Sequence, residues 1–182
     1  MSDQTIKILS SKKVFSATLF HINELKVEFP NGTKATHHVV ERRPCVYIFP
    51  LTPKYELYFV KEYNYSTNDF EIKPPAGFME EGENPLQAAK RELREETGIL
   101  AGQWEEFSRM KLAKSSLDAT VYLFLARDLE IKKSQPDATE DIEVIKLSFP
   151  EAVQKVMDGE IRQAPVIAGI LLLDKLRLQK RL

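Results

Sequence analysis

Gly77–Ile99, GFMEEGENPLQAAKRELREETGI, decides how this chain is read. Its middle has the marks of one amphipathic helix. Asn84 is a good N-cap, Pro85 suits the first helical position, and Gln87 sits three residues after the cap, as a capping box requires. Gly98 stands just past the last good helix former, where helices stop. Leu86, Ala89 and Leu93 recur at three- and four-residue spacing and predict a core-facing stripe.

The rest of that helix is acidic in a way that surface solubility does not explain. Glu92, Glu95 and Glu96 fall within an arc of roughly 100°. Glu92 and Glu96 are i,i+4 neighbours of like charge and repel. A cation held by carboxylate oxygens turns the repulsion into attraction, and Mg²⁺ fits best, because it prefers one or two carboxylates together with phosphates and water. Mn²⁺ is the expected substitute. Arg91 lies four residues before Glu95 and can fix that carboxylate. Glu83 reaches the same region from the helix N-terminus. Gly77 and Gly82 bracket a loop that must turn tightly and let its backbone approach a ligand. A solvated acidic face paired with Lys90, Arg91 and Arg94 would leave the two glycines and Glu83 without a reason.

The stretch resembles the signature of the Nudix hydrolases at every fixed position: Gly77, Glu83, Arg91, Glu92, Leu93, Glu95, Glu96, Gly98 and Ile99. With about 7% usage per residue type, a chance match in a chain of this length is on the order of one in ten million, so the resemblance decides the reading. It implies hydrolysis of a nucleoside diphosphate linked to another group. It also implies an α/β fold, an α/β/α sandwich with a mixed sheet. Glu92, Glu95 and Glu96 become expected metal ligands, and Arg91, Glu83 and Glu95 expected members of the catalytic group.

Composition bounds the alternatives. The 182 residues carry a net charge of −1 and 43% hydrophobic side chains, which describes an ordinary globular chain with no general affinity for nucleic acid or membrane surfaces. No apolar run is long enough to span a bilayer, and the first residues, MSDQTIKILSSKK, lack a signal-peptide core. Cys45 is the only cysteine, so no disulfide can form within the chain, and a cytoplasmic location is the simplest expectation.

Before the signature, residues 12–42 read as a small antiparallel unit. Leu25, Val27 and Phe29 alternate with polar residues, Pro30-Asn31-Gly32 supplies the turn, and 33–42 return as a second strand. So small a unit has little core of its own. Nudix hydrolases acting on ADP-ribose and other nucleoside diphosphate sugars carry such an N-terminal sheet and use it to dimerise. The chain resembles that subgroup in layout. The expected division is 1–43 for dimerisation and 44–182 for catalysis, and the expected state is a homodimer. By the same resemblance Phe20 is a candidate to stack on a substrate base, and Arg42 a candidate for phosphate or base contact.

Cys45–Leu51, 56–63 and 70–72 read as strands. Glu71, Pro75, Ala76 and Gly77 match the approach to the signature in the ADP-ribose subgroup, which makes Glu71 a substrate-binding candidate and the Ala76 carbonyl a metal ligand. Asn64 stands where that subgroup often has an arginine, and the polar loop 111–118, expected to line the substrate pocket, lacks the subgroup's usual proline. Strands are expected at 104–110, 120–127 and 142–147, and helices from Ser148, with an S-x-x-E capping box, and over 164–180. Glu140, on the long acidic stretch 128–141, matches the glutamate proposed in that subgroup to activate water.

The expected substrate is therefore a nucleoside diphosphate sugar, ADP-ribose or a relative. The alternatives are other nucleotides (dinucleoside polyphosphates, NADH or RNA 5′ ends) and a nucleotide-sensing module without turnover.

Overall fold

The computed structural model describes residues 5–113, 115–132 and 142–182. In chain order the strands and helices are β1 Lys7–Ser16, β2 Phe20–Glu28, β3 Lys34–Arg42, β4 Cys45–Pro50, β5 Glu56–Asn64, β6 Asp69–Lys73, β7 Ala76–Phe78, α1 Pro85–Thr97, β8 Ile99–Lys111, β9 Leu117–Asp118, β10 Thr120–Ile131, β11 Ile142–Ser148, α2 Phe149–Met157 and α3 Ala164–Leu178. They group into two compact units, residues 1–44 with 111–120, and residues 45–110 with 121–182.

The first unit is a four-stranded sheet in the order β1-β2-β3-β9. The hairpin read from Pro30-Asn31-Gly32 is present: Glu28 pairs with Lys34, the Gly32 amide donates to the Phe29 carbonyl at 2.8 Å, and Gly32 takes φ 80°. β1 is an addition. Its apolar residues do not alternate over most of its length, so periodicity gave no signal for it. The short β9 runs parallel to β3 through Val40–Leu117 and Glu41–Asp118, so part of the loop expected to line the pocket is instead a strand of this unit. Among its described residues only Val27 and Ala119 are buried.

The second unit holds two sheets, β7-β4-β10-β8 and β11-β5-β6. β4 and β10 are parallel over six pairs, from Cys45–Val121 to Pro50–Ala126, whereas β7 joins β4 antiparallel, so the sheet is mixed. Both central strands are apolar on both faces because both faces are covered. Val46, Ile48, Phe124 and Ala126 pack with Ala88, Ala89 and Leu93 of α1. Phe49, Val121, Leu123 and Leu125 pack with Leu57 and Phe59 of β5, Phe149 and Ala152 of α2, and Val166, Ile170 and Leu173 of α3. α3 comes so near that a Cβ on Gly169 would strike the Phe49 ring. The layering is α/β/α, as expected.

α1 begins and ends where its sequence says. Asn84 and Gln87 form both bonds of the capping box, and Gly98 closes the helix at φ 69° with its amide on the Arg94 carbonyl. One expectation is corrected: Leu86 is 36% exposed, and the buried stripe is Ala88, Ala89, Leu93, Glu96 and Thr97. Leu86 lies in the first turn. Glu96 follows Leu93 by three residues and so shares its face.

Candidate active site

The acidic site is assembled by α1 and the segment from β6 through Glu83. Arg91 is its hub. Its guanidinium grips Glu83 with two nitrogens, Nε to Oε1 at 2.8 Å and Nη2 to Oε2 at 2.9 Å. Nη1 donates to Glu92 Oε1 at 2.6 Å and to Glu95 Oε2 at 3.2 Å, and Nη2 also reaches the Phe78 carbonyl at 3.0 Å. Arg91 thereby ties three of the signature glutamates to the backbone of the preceding loop. The bonds from Arg91 hold the Glu83 carboxyl below the usual range, and the Glu80 amide assists.

Glu96 is held differently. It is 2% exposed, and an unpaired charge so deep would cost several kcal/mol. Its Oε2 accepts the Ala76 amide at 3.1 Å, and its Oε1 lies 3.5 Å from Lys73 Nζ. Lys73 also pairs with Glu62 at 2.8 Å. Burial works against the Lys73 charge, but Glu96 and Glu62 outweigh it and raise the lysine above its usual range. Glu92 lies against the next peptide: a Cβ on Gly77 would land on its carboxylate. The glycine is therefore needed for space, which the sequence reading expressed only as close backbone approach.

Glu92 and Glu96 thus flank the Ala76–Gly77 backbone. Among the described residues no three acidic, histidine or cysteine side chains converge into a ready-made metal cage, because Arg91 and Lys73 draw the carboxylates toward themselves. The donor set still suits a divalent cation. It is all oxygen, the ligand type that hard divalent cations take.

A cavity of about 230 Å³ adjoins Lys73. It is lined by Glu62, Tyr63, Asn64, Glu71, Lys73 and Gln163, with Tyr65 and Ser66 at its loop side. Burial opposes ionisation of Glu71, yet bonds from Asn64, Gln163 and Thr67 prevail and hold its carboxyl below the ordinary range. Gln163 Nε2 donates to Glu71 at 2.6 Å while its oxygen accepts the Tyr47 hydroxyl at 3.0 Å. A larger cavity of about 550 Å³ lies at the other face of β6, between Phe70, Ile72, Ile145 and Arg162. It contains no signature residue, and its ion pairs Arg162–Asp69 and Lys155–Glu160, each at 2.7 Å, are already matched. The smaller cavity, unlike the larger, is joined to the signature carboxylates, through Lys73.

A NUDIX domain model matches residues 41–169, well over half of the sequence. The chain belongs to the Nudix family. It is 27% identical to an ADP-ribose pyrophosphatase of Bacillus subtilis over 90% of both chains, and 26% identical to a methanol dehydrogenase activator of Bacillus methanolicus, again over 90% of each. The crystal structure of an ADP compounds hydrolase superposes with a TM-score of 0.85 over 98% of both chains at 24% identity, which shows the fold. Nudix hydrolases generally need a divalent metal, and the donors around Ala76–Gly77 fit one.

Of the Nudix site residues expected from sequence, Glu83, Arg91, Glu92 and Glu95 form one network, and Glu96 binds the Ala76 amide. Asn64 and Glu71 share the cavity. Phe20 and Arg42 face each other as a cross-strand pair in the first unit, with Phe20 stacked on Phe15 at 5.7 Å. Glu140 lies outside the described residues. Sequence reasoning missed Lys73 and Gln163. Lys73 carries a legible signal, since it follows Glu71 by two residues on a strand and shares its face. Gln163 carries none: a neutral residue 92 positions from Glu71, it meets its partner only through the fold.

Proposed function

We propose that this Nudix protein hydrolyses the diphosphate of nucleoside diphosphate sugars, with ADP-ribose or a related ADP compound as substrate. The products are a nucleoside monophosphate and a sugar phosphate. The observation that carries the reading is the Arg91-centred network beside the buried Glu96, an arrangement that fixes carboxylates against a backbone turn. The substrate class is supported by the Bacillus subtilis relative, named for ADP-ribose, and by the name of the matching crystal structure, an ADP compounds hydrolase.

Mg²⁺ is the proposed ion, with Glu92, Glu95, Glu96 and the Ala76 carbonyl as its donors and Mn²⁺ as substitute. Bound there, it supplies charge neutralisation of the diphosphate and Lewis-acid polarisation. The chain's own groups do the rest. Arg91 keeps Glu92 and Glu95 in place, and Glu83 keeps Arg91 in place. Glu95 is the signature carboxylate most open to water, at 36% side-chain exposure, and so can take the proton of the attacking molecule. The water oxygen bonds to one phosphorus, the bridging P–O bond breaks, and the bridging oxygen leaves with the other phosphate. Asn64 and Glu71 receive the part of the substrate that enters the cavity.

Residues 1–43 are proposed to pair with a second copy, giving a homodimer in which Phe20 and Arg42 contact substrate. The terminal position of β1 in its sheet and its exposed Ile8, Leu9, Val14 and Phe15 support this. A reducing cytoplasm suits the lone Cys45.

The test is a panel assay with Mg²⁺ against ADP-ribose, other nucleotide sugars, dinucleoside polyphosphates and NADH. ADP-ribose or another nucleotide sugar is expected to give the highest kcat/KM, with monophosphate products. A dinucleotide leading the panel would overturn the substrate class, and no turnover of any member would leave a sensing module.

A further inference from the structure

Lys73 lies between the carboxylate that the proposed function gives to the metal and the cavity it gives to the substrate. Its side chain is 17% exposed. The ammonium sits 2.8 Å from Glu62, a short charge-assisted contact, and 3.5 Å from Glu96, which is longer than a good hydrogen bond. Glu62 is therefore the anchor and Glu96 the looser partner. Glu62 itself stands directly opposite Glu71 across β5 and β6, two like charges that need a cation between them. An ammonium has three donors. Glu62 and Glu96 hold it from two sides, and Lys73 also lines the cavity.

We propose that Lys73 is an exchangeable counter-ion. It neutralises Glu96 while no divalent cation is bound, yields that carboxylate when one arrives, and then contacts the diphosphate of the substrate while Glu62 keeps it in place. This rests on the reading of Glu96 as a metal donor. The consequence has an unusual sign. Lys73 competes with the metal, so its removal strengthens metal binding and weakens substrate binding. A purely structural lysine would do the reverse or nothing to the first, because its loss would loosen the loop that carries Ala76.

The experiment titrates Mn²⁺ calorimetrically into substrate-free wild type, Lys73→Met and Lys73→Arg, then measures kinetics with ADP-ribose at saturating metal. Methionine keeps the length of the side chain without its charge. The Met variant is expected to bind Mn²⁺ about tenfold more tightly and to show KM raised about tenfold with a smaller change in kcat. Its melting temperature should also rise more on adding Mn²⁺ than that of wild type. The Arg variant should stay near wild type in metal affinity. Equal or weaker Mn²⁺ binding by the Met variant, or an unchanged KM, would overturn the proposal. Should Lys73→Met fail to fold without metal, Glu62→Gln decides: losing the anchor must raise KM, and an unchanged KM sinks the idea. Wild type that binds no Mn²⁺ at all would instead remove the metal reading on which this one stands.

Discussion

Arg91 holds Glu83 through two nitrogens across eight residues, at 2.8 and 2.9 Å, and so fastens the loop before α1 to the helix itself. A planar fork is what this geometry uses, and lysine cannot supply it. Arg91→Lys should therefore lose about 1–3 kcal/mol of stability in urea denaturation, because the freed carboxylates of Glu83 and Glu92 lose partners. Turnover of the folded protein should fall as well, by about a hundredfold, since Glu92 and Glu95 lose their common support. Retention of wild-type turnover by a folded Arg91→Lys would show that the network is structural only.

Gly77 tests the placement of Glu92 from the other side of the network. A Cβ there would meet the end of the Glu92 side chain, which must move to admit it and so give up its 2.6 Å bond from Arg91. Gly77→Ala should thus cost about 1–3 kcal/mol of stability, the usual loss when a charged hydrogen bond is broken. Displacing Glu92 should also lower kcat at fixed Mg²⁺ at least about tenfold, a loss of ~1.4 kcal/mol in transition-state binding. Raising Mg²⁺ should recover part of the rate. A variant as active as wild type would remove Glu92 from the metal site.

Much of this site was legible in the sequence because its parts are local. Asn84, Gln87 and Gly98 act within one turn of the helix ends, so a few residues determine α1 completely. The i,i+4 geometry of Arg91 and Glu95 follows from helical period alone. Glu96 was legible as a carboxylate but not as a buried one, since its burial depends on the Ala76 amide and Lys73 arriving from twenty or more residues away. The pairing of β9 with β3 escaped for the same reason. A two-residue strand has no periodicity to read, and its partner is more than seventy residues earlier.

Glu71 gives the stability curve a predictable acid side. Burial raises its pKa, but the bonds from Asn64, Gln163 and Thr67 win, and the folded value lies below the ordinary 4.5. A carboxyl depressed by folding contributes stability that is fully present above its unfolded pKa and is lost as pH falls through the folded one. Wild type should therefore lose stability progressively below pH 4.5, and Glu71→Gln should lose less over that window. Chemical denaturation at pH 7 and below 4.5 checks it: the difference between the two proteins must shrink at the acid end. A gap that is constant or widens on acidification would mean that the bonds around Glu71 do not favour its charged form.

The first unit makes a prediction about assembly. Among the described residues β1 is the outer strand of its sheet, and it exposes Ile8, Leu9, Val14 and Phe15. An apolar edge strand left open invites pairing with another chain. In the proposed homodimer a second copy would meet that demand through the same patch on both partners, the arrangement of a two-fold dimer. Introducing like charges there, as Ile8→Glu with Val14→Glu, should shift the protein from the proposed dimer to monomer in light scattering at micromolar concentration. Both substitutions fall on exposed side chains, so the melting temperature of the second unit should hardly change. If Phe20 and Arg42 contact substrate across that interface, the monomer should lose kcat/KM while binding of Mn²⁺ alone stays as in wild type. A variant that remains dimeric would place the interface away from β1.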